Sequence, residues 1–336
     1  MREHVAKGTK VTAAVAGAIV LAMAPLWGQS GSGSARGGQP LNGAPAAKSG
    51  KVPRLADGRP DLQGLWSYAS ALPLERPDPS APNLSGNPDE AQFDEVVGNY
   101  GQLWYEPGSR TDGRKWLLAD PPDGRLPPLT PEAGRKLRAI QEERRGLARE
   151  EPTPGGWIQD TGPTHLKLRC LIGFNSGPPM TSSGYNQHLQ IFQVPGYVVL
   201  FTEMIHNARI VPLDGRAHGK LRQWSGEPRG HWEGDTLVVD STNFRAGPPN
   251  FPLASANMHL IERFTPVEPD TLLYEFTMDD PATWVRPWTV RIPLTRTDER
   301  MYEYACHEGN YGLYNILAGA RAKERAQEAA AKKTGR

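Results

Sequence analysis

The sequence predicts a mainly β protein, in which one antiparallel sheet forms a barrel or a strongly curved meander with helical and irregular additions. From residue 187 to residue 305 the hydrophobic pattern has a period of two, and seven or eight short strands follow at regular spacing. The helices that a parallel α/β sheet needs between its strands are not predicted in this region. The 32 prolines and 36 glycines also indicate many turns and few long helices.

The first 52 residues are predicted to lie outside the folded domain. Residues 1–29 have the features of a signal peptide, because a basic start precedes an apolar run over 11–26 that is short for a membrane span. An uncleaved anchor is the alternative. Residues 30–52 are rich in Gly, Ser, Ala and Pro, which predicts a flexible linker. The protein is therefore expected to be periplasmic or secreted, without stable membrane insertion after signal cleavage.

Residues 53–320 are predicted to form a single β-rich domain. Within it, residues 72–150 form a long irregular excursion that includes a helix, with Thr130 as its N-cap and Pro131 at its first position. The chain from Tyr311 to about Lys332 is predicted to be helical and to fray within the C-terminal tail, residues 321–336.

The predicted strands are short alternating or β-branched segments. A Gly-Asp turn at 234–235 indicates a hairpin, as does the Pro-rich turn at 266–270. The main strand segments are 189–193, 197–201, 236–240, 259–265, 271–277, 288–294 and 301–305.

The charge of the folded region excludes one class of partner. Five of the 38 basic residues and one of the 37 acidic residues precede residue 51, so the remaining chain carries a formal charge of −3. No basic stripe remains to bind a phosphate backbone, and nucleic acid is not an expected partner. The expected partner is a small-molecule ligand or substrate, and the sequence predicts no oligomeric state.

Two sets of motifs carry resemblances. Gly64-Leu65-Trp66 at the head of the first strand is similar to the opening of a lipocalin-type barrel, where the Trp plugs the closed end. The segments W-E-G-D-T-L-V-V (232–239) and Y-E-Y-A-C-H-E-G-N (302–310) resemble an uncharacterised family of exported bacterial proteins. This second resemblance extends over most of the folded region. It implies export, and it implies no particular activity.

Cys170 and Cys306 are the only cysteines of the chain. In an oxidising compartment a disulfide between them is expected. The alternatives are that Cys306 is a nucleophile activated by His307, or that both thiols are free and inert.

Two polar clusters are the predicted catalytic residues. Glu203 and His206 lie close to Arg209 in a strand-rich stretch, and an arginine beside Glu203 would keep that carboxylate ionised as a base. His307 and Glu308 follow the last predicted strand, and His307 is the best single candidate for a general acid or base. The structural alternatives, a cross-strand ion pair and a strand-to-helix corner, stay open.

The predicted substrate-binding residues are Arg209, Arg263, Tyr274 and Trp232. Arg263 and Tyr274 lie on predicted strands, and if both face inward they can bind a carboxylate or a phenolate. The histidines and glutamates supply ligand types for zinc or iron, but no diagnostic metal spacing occurs, and nucleotide-binding loops are also absent. No metal and no cofactor is therefore predicted.

These observations predict an exported, cofactor-independent lyase, hydratase or isomerase that acts on a small, partly apolar, aromatic or terpenoid-like substrate. Glu203 is the expected base, His307 the proton shuttle, and Arg209 or Arg263 the group that holds a substrate anion. The alternatives are a non-catalytic carrier or sensor of an apolar ligand, and a metal-dependent oxygenase or hydrolase.

Overall fold

The computed structural model describes residues 50–70, 72–77, 113–143, 169–183, 185–245, 247–248, 251 and 253–334. The predicted signal peptide and most of the predicted linker lie outside these residues. Within the described chain, no helix is long and apolar enough to cross a membrane.

The predicted mainly β fold is confirmed. One sheet contains all ten strands of the described chain, and nine of them form an antiparallel path in the order β5-β4-β3-β1-β10-β9-β8-β7-β6, while β2 pairs with β10. The strands are β1 (Gly64–Ser67), β2 (Leu118–Asp120), β3 (His188–Val194), β4 (Tyr197–Thr202), β5 (Asn207–Pro212), β6 (Glu227–Glu233), β7 (Thr236–Thr242), β8 (His259–Glu268), β9 (Thr271–Asp279) and β10 (Trp288–Arg296).

The described chain also contains two helices, α1 (Pro131–Glu143) and α2 (Tyr311–Thr334). The predicted start of α1 is confirmed, because Thr130 Oγ1 accepts a hydrogen bond from Ala133 N at 3.1 Å. Helix α2 continues through most of the segment that the sequence assigned to a frayed tail. The predicted strand at 301–305 is wrong, because these residues have no regular secondary structure.

The sheet curves into a nearly closed barrel whose seam lies between β5 and β6. Because all neighbours in a nine-strand path are antiparallel, these two edge strands run in the same direction, and residues 213–226 form the crossover connection between them. The strands approach closely at Gly230 of β6, where an added Cβ would lie 2.6 Å from Leu213 Cδ2 and 2.7 Å from Val211 Cγ1. A residue without a side chain is therefore required at this point.

Trp66 anchors the first strand in the barrel core. Its Nε1 donates to Leu62 O at 2.9 Å, and the guanidinium of Arg296 lies 4.4 Å from the centre of a Trp66 ring. Arg296 also donates to Gln63 O at 2.7 Å. Gly64 permits this arrangement, because a Cβ there would lie 2.4 Å from Arg296 Nη1 and the residue has a φ of +121°.

Aromatic side chains fill the barrel interior. On β8 and β9 every second residue faces inward, so Phe264, Tyr274 and Phe276 are fully buried and stack with ring centroids 5.0 and 5.9 Å apart. Trp288 of β10 continues the stack at 5.8 Å from Phe276. The inward row of β8 also contains one charged residue, Glu262, which is fully buried.

Candidate functional site

The first residue of β3 and the residue after β4 form a buried pair, His188 and Glu203. The backbone N–H of Glu203 donates to His188 O at 2.9 Å, which continues the β3–β4 pairing. His188 Nδ1 lies 2.7 Å from Glu203 Oε2, and the side chains are only 7% and 6% exposed. A buried carboxylate at one ring nitrogen fixes the orientation of the imidazole.

The second ring nitrogen of His188 faces the protein surface. Its Nε2 lies 3.2 Å from Oε2 of Glu299, a side chain that is 66% exposed. The contact with Glu203 is a hydrogen bond, whereas Glu299 lies within ion-pair distance. A carboxylate therefore lies beside each ring nitrogen of His188.

A constrained turn positions Glu203. It continues into a 3-10 turn, Met204–His206, in which Ile205 has a φ of +61° and His206 a φ of +42°. This region costs a β-branched residue roughly 1–3 kcal/mol. Burial of Met204 and Ile205 against the Cys170–Cys306 disulfide offsets that cost, so the corner that holds Glu203 is fixed by packing.

The predicted disulfide is confirmed. Cys170 and Cys306 are joined, with their Cα atoms 5.8 Å apart. The alternative in which Cys306 acts as a free nucleophile is therefore wrong. His307 and Glu308, two predicted catalytic residues, follow the disulfide on an exposed turn, and Gly309 takes a φ of +69° there before α2 begins.

The predicted pairing of Glu203 with Arg209 does not occur. Arg209 points into the barrel from β5 and binds Glu262 through two hydrogen bonds, Nη1–Oε2 at 2.5 Å and Nη2–Oε1 at 2.9 Å. Tyr274 OH donates to Glu262 Oε1 at 2.7 Å and accepts from Met180 N at 3.1 Å. The Glu262 carboxylate therefore occupies the position beside Arg209 that the sequence analysis predicted for a substrate anion.

Burial and the charge of Glu262 together shift the pKa values of Arg209 and Tyr274. Burial disfavours the charged form of Arg209, but the adjacent Glu262 carboxylate more than compensates and raises the pKa of Arg209. Burial, together with the negative charge of Glu262, raises the pKa of Tyr274 well above its usual value. Tyr274 therefore stays a neutral hydrogen-bond donor.

The other predicted binding residues lie apart from one another. Arg263 neighbours Glu262 in β8 but faces outward, and its Nη2 donates to Glu233 Oε2 at 2.6 Å. The predicted clamp of Arg263 with Tyr274 therefore does not form. Trp232 packs half-buried against the core below Arg59, whose guanidinium is 5.9 Å from its ring. His206 is exposed on the turn after Glu203.

A second group of titratable side chains lies on the outer face of β7 and β8. Asp240 Oδ1 is 3.0 Å from Nε2 of both His218 and His259, and Glu227 Oε2 is 3.7 Å from His218 Nδ1. The hydrogen bond from His259 lowers the pKa of Asp240 and, in turn, raises that of His259. In the part of the chain that the structure describes, no group of three or more His, Cys, Asp or Glu is arranged to hold a metal ion.

Sequence reasoning missed His188 and Glu262, although both left a signal. The tight turn at 195–196 makes β3 and β4 a symmetric hairpin, in which Leu189 pairs with Thr202. Extending this register by one residue places His188 opposite Glu203. Glu262 lies between Leu260 and Phe264 in an alternating strand, so the period of two alone places a carboxylate on the buried face.

Comparison of this chain with protein-family models, with curated proteins and with solved structures finds no match.

Proposed function

We propose that this protein is an acid–base enzyme of the lyase, hydratase or isomerase class, in which His188 transfers the proton and Glu203 orients His188. The observation that carries the proposal is the 2.7 Å contact between His188 Nδ1 and Glu203 Oε2 in two buried side chains. His188 Nε2, directed toward an exposed side chain, is then the reactive atom. Glu203 keeps a catalytic task under this proposal, but as the partner of the base.

The proposed reaction begins when the substrate displaces Glu299 from His188. With Nδ1–H donated to Glu203, Nε2 carries a lone pair and removes a proton from a C–H or O–H group of the substrate. The carboxylate of Glu203 complements the positive charge that the ring then carries. Returning the proton to a neighbouring atom completes an isomerisation, whereas delivering it to a departing hydroxyl group completes a dehydration. Either route restores the neutral ring.

The proposed substrate is small and partly apolar, such as an aromatic or terpenoid-like compound. Its support is the outward face of β3 and β4 beside the pair, where Phe201, Val199 and Phe192 succeed one another across the two strands. Phe192 is 40% exposed. The proposal also places the protein outside the cytoplasm, in the periplasm or the medium. The Cys170–Cys306 disulfide supports that location, because disulfides persist in oxidising compartments.

The test is solvent deuterium incorporation into a panel of aromatic and terpenoid compounds, measured by mass spectrometry with the chain from residue 51 onward. We expect the wild type to exchange hydrogen in one compound class, and His188→Gln to lose about 10²- to 10⁴-fold of that rate. His206→Gln and His307→Gln, which alter exposed histidines, are the matched controls and should keep it. Exchange that persists in His188→Gln would overturn the proposal. Binding without exchange would instead favour a carrier.

A further inference from the structure

Residues 297–306, called the strap here, cross the surface next to His188. The strap begins where β10 ends, with Thr297 N donating to Leu65 O at 3.0 Å, and it ends at Cys306 in the disulfide. Both of its ends are therefore attached to the barrel. Between them, Glu299 reaches His188 Nε2 at 3.2 Å.

Among the residues that the structure describes, this one contact joins the middle of the strap to the barrel. From residue 298 to residue 303, the described chain shows no hydrogen bond or ion pair to the barrel other than Glu299 with His188. Most of these residues are exposed, and burial resumes at Tyr304, which packs beside the disulfide. A segment that is fixed at its ends, exposed, and joined to the described barrel by one contact between them opens at low cost.

The contact with Glu299 also blocks the reactive nitrogen of His188. While the Glu299 carboxylate lies 3.2 Å from Nε2, a substrate proton cannot reach this atom. Proton abstraction requires Glu299 to move away while Glu203 keeps the ring oriented. The closed strap therefore corresponds to an inactive arrangement.

We propose that the strap is a lid over the His188–Glu203 pair and that Glu299 is its autoinhibitory group, which leaves when the substrate enters. The consequence for catalysis rests on the proposed function. The closure of the strap does not rest on the proposed function, because the accessibility of His188 can be measured without a substrate.

The experiment measures how fast diethyl pyrocarbonate modifies His188 in the purified full chain, with peptide mass spectrometry to locate the product. The reagent acylates an unprotonated ring nitrogen, so both opening and deprotonation accelerate it. We expect Glu299→Gln to raise the His188 rate about two- to fivefold, the factor for loss of a solvent-exposed ion pair. Glu303→Gln, which removes an exposed carboxylate from the same strap, is the matched control and should leave the rate unchanged.

Exposed His206 serves as an internal reference in every sample, since its rate reports reagent concentration and general unfolding. An equal His188 rate in wild type and Glu299→Gln would overturn the lid. So would an equal increase in Glu303→Gln, because the effect would then be one of net charge. A faster His188 rate in Glu299→Gln, in a protein without any deuterium exchange activity, would retain the lid and reject the proposed function.

Discussion

Arg209 and Glu262 bring two full charges into a largely apolar interior. Moving ions out of water costs several kcal/mol each, and their mutual attraction offsets this only when the geometry is good and the other hydrogen-bonding sites are used. Here the guanidinium fork binds both carboxylate oxygens, and Tyr274 adds a third donor to Glu262. Both carboxylate oxygens of Glu262 are therefore used, while Arg209 Nε is buried without a hydrogen-bond partner among the described residues. Neither residue of the pair is independent of the other.

We predict that Arg209→Leu lowers the free energy of unfolding by about 3–5 kcal/mol, because it leaves the buried Glu262 carboxylate without a cation. The double variant Arg209→Leu with Glu262→Leu should cost less than this single change. Urea unfolding at neutral pH measures both. The control is Arg263→Ala, which alters an outward-facing residue of β8 next to Glu262 and should cost at most about 1 kcal/mol. Equal costs for the single and double variants would contradict the coupling.

At the level of single residues, the sequence predicted only part of this site. It selected Glu203, which lies buried in a polar corner, but it paired Glu203 with Arg209, and that contact does not occur. The residues that meet, His188 with Glu203 and Arg209 with Glu262, are 15 and 53 positions apart. The proximity of Glu203 and Arg209 in the sequence suggested that these two residues form an ion pair. Strand register and side-chain direction decided the contacts instead.

At the scale of elements, the Asp240 group attaches the crossover connection to the sheet. Asp240 lies on β7, His259 on β8, and His218 on the connection between the seam strands β5 and β6. Asn243 Nδ2 adds a 3.0 Å hydrogen bond to Gly219 O, and Gly219 N donates to Glu227 Oε2 at 2.8 Å. These bonds hold the chain that runs along the open seam.

We predict that His259→Gln costs more stability near pH 5.5 than near pH 8.5. Folding raises the pKa of His259, because Asp240 accepts its hydrogen bond and carries the opposite charge. The folded state therefore binds the proton more tightly than the unfolded state. The resulting stability is complete below the unfolded-state pKa and is lost as the pH rises through the folded-state pKa.

His259 is 37% exposed, so solvent limits the difference between the two pH values to about 0.2–1 kcal/mol. The pKa of Asp240 is shifted in the opposite direction, downward, so its contribution is lost only at a pH below both measurements. Urea midpoints at the two pH values provide the measurement. A cost of His259→Gln that is equal at both would contradict the prediction.

The pairing of the sheet strands explains why residues 301–305 do not form the predicted strand. Its alternating sequence fits a strand, but β10 already pairs with β1, β2 and β9, so no sheet edge is free beside the chain that follows it. A period of two describes the side chains of one segment. It does not say whether a neighbouring strand has donors and acceptors left to pair with.

For the whole molecule, the disulfide links the two segments that cover the candidate site. Cys170 belongs to the chain that leads into β3, and Cys306 to the end of the strap, 136 residues later. A cross-link over so long a loop removes much conformational entropy from the unfolded chain.

We predict that the double variant Cys170→Ser with Cys306→Ser unfolds with a free energy lower by about 4–5 kcal/mol, the value that the loop-entropy relation gives for a loop of more than 100 residues. Denaturant titration of the oxidised wild type and of the variant measures the difference. A reductant should destabilise the wild type and leave the variant unchanged. A variant as stable as the oxidised wild type would show that the disulfide contributes little.

The sequence by itself determined the mainly β class, most strands, the start of α1 and the disulfide partners. These features depend on local periodicity, on capping chemistry and on there being only two cysteines. Only the tertiary structure decided that nine strands curve into a nearly closed barrel with parallel seam strands, that Arg209 turns inward to Glu262, and that Glu203 meets His188 beneath the strap. Each of these depends on register and curvature, which set contacts between residues far apart in the chain and leave little trace in any single segment.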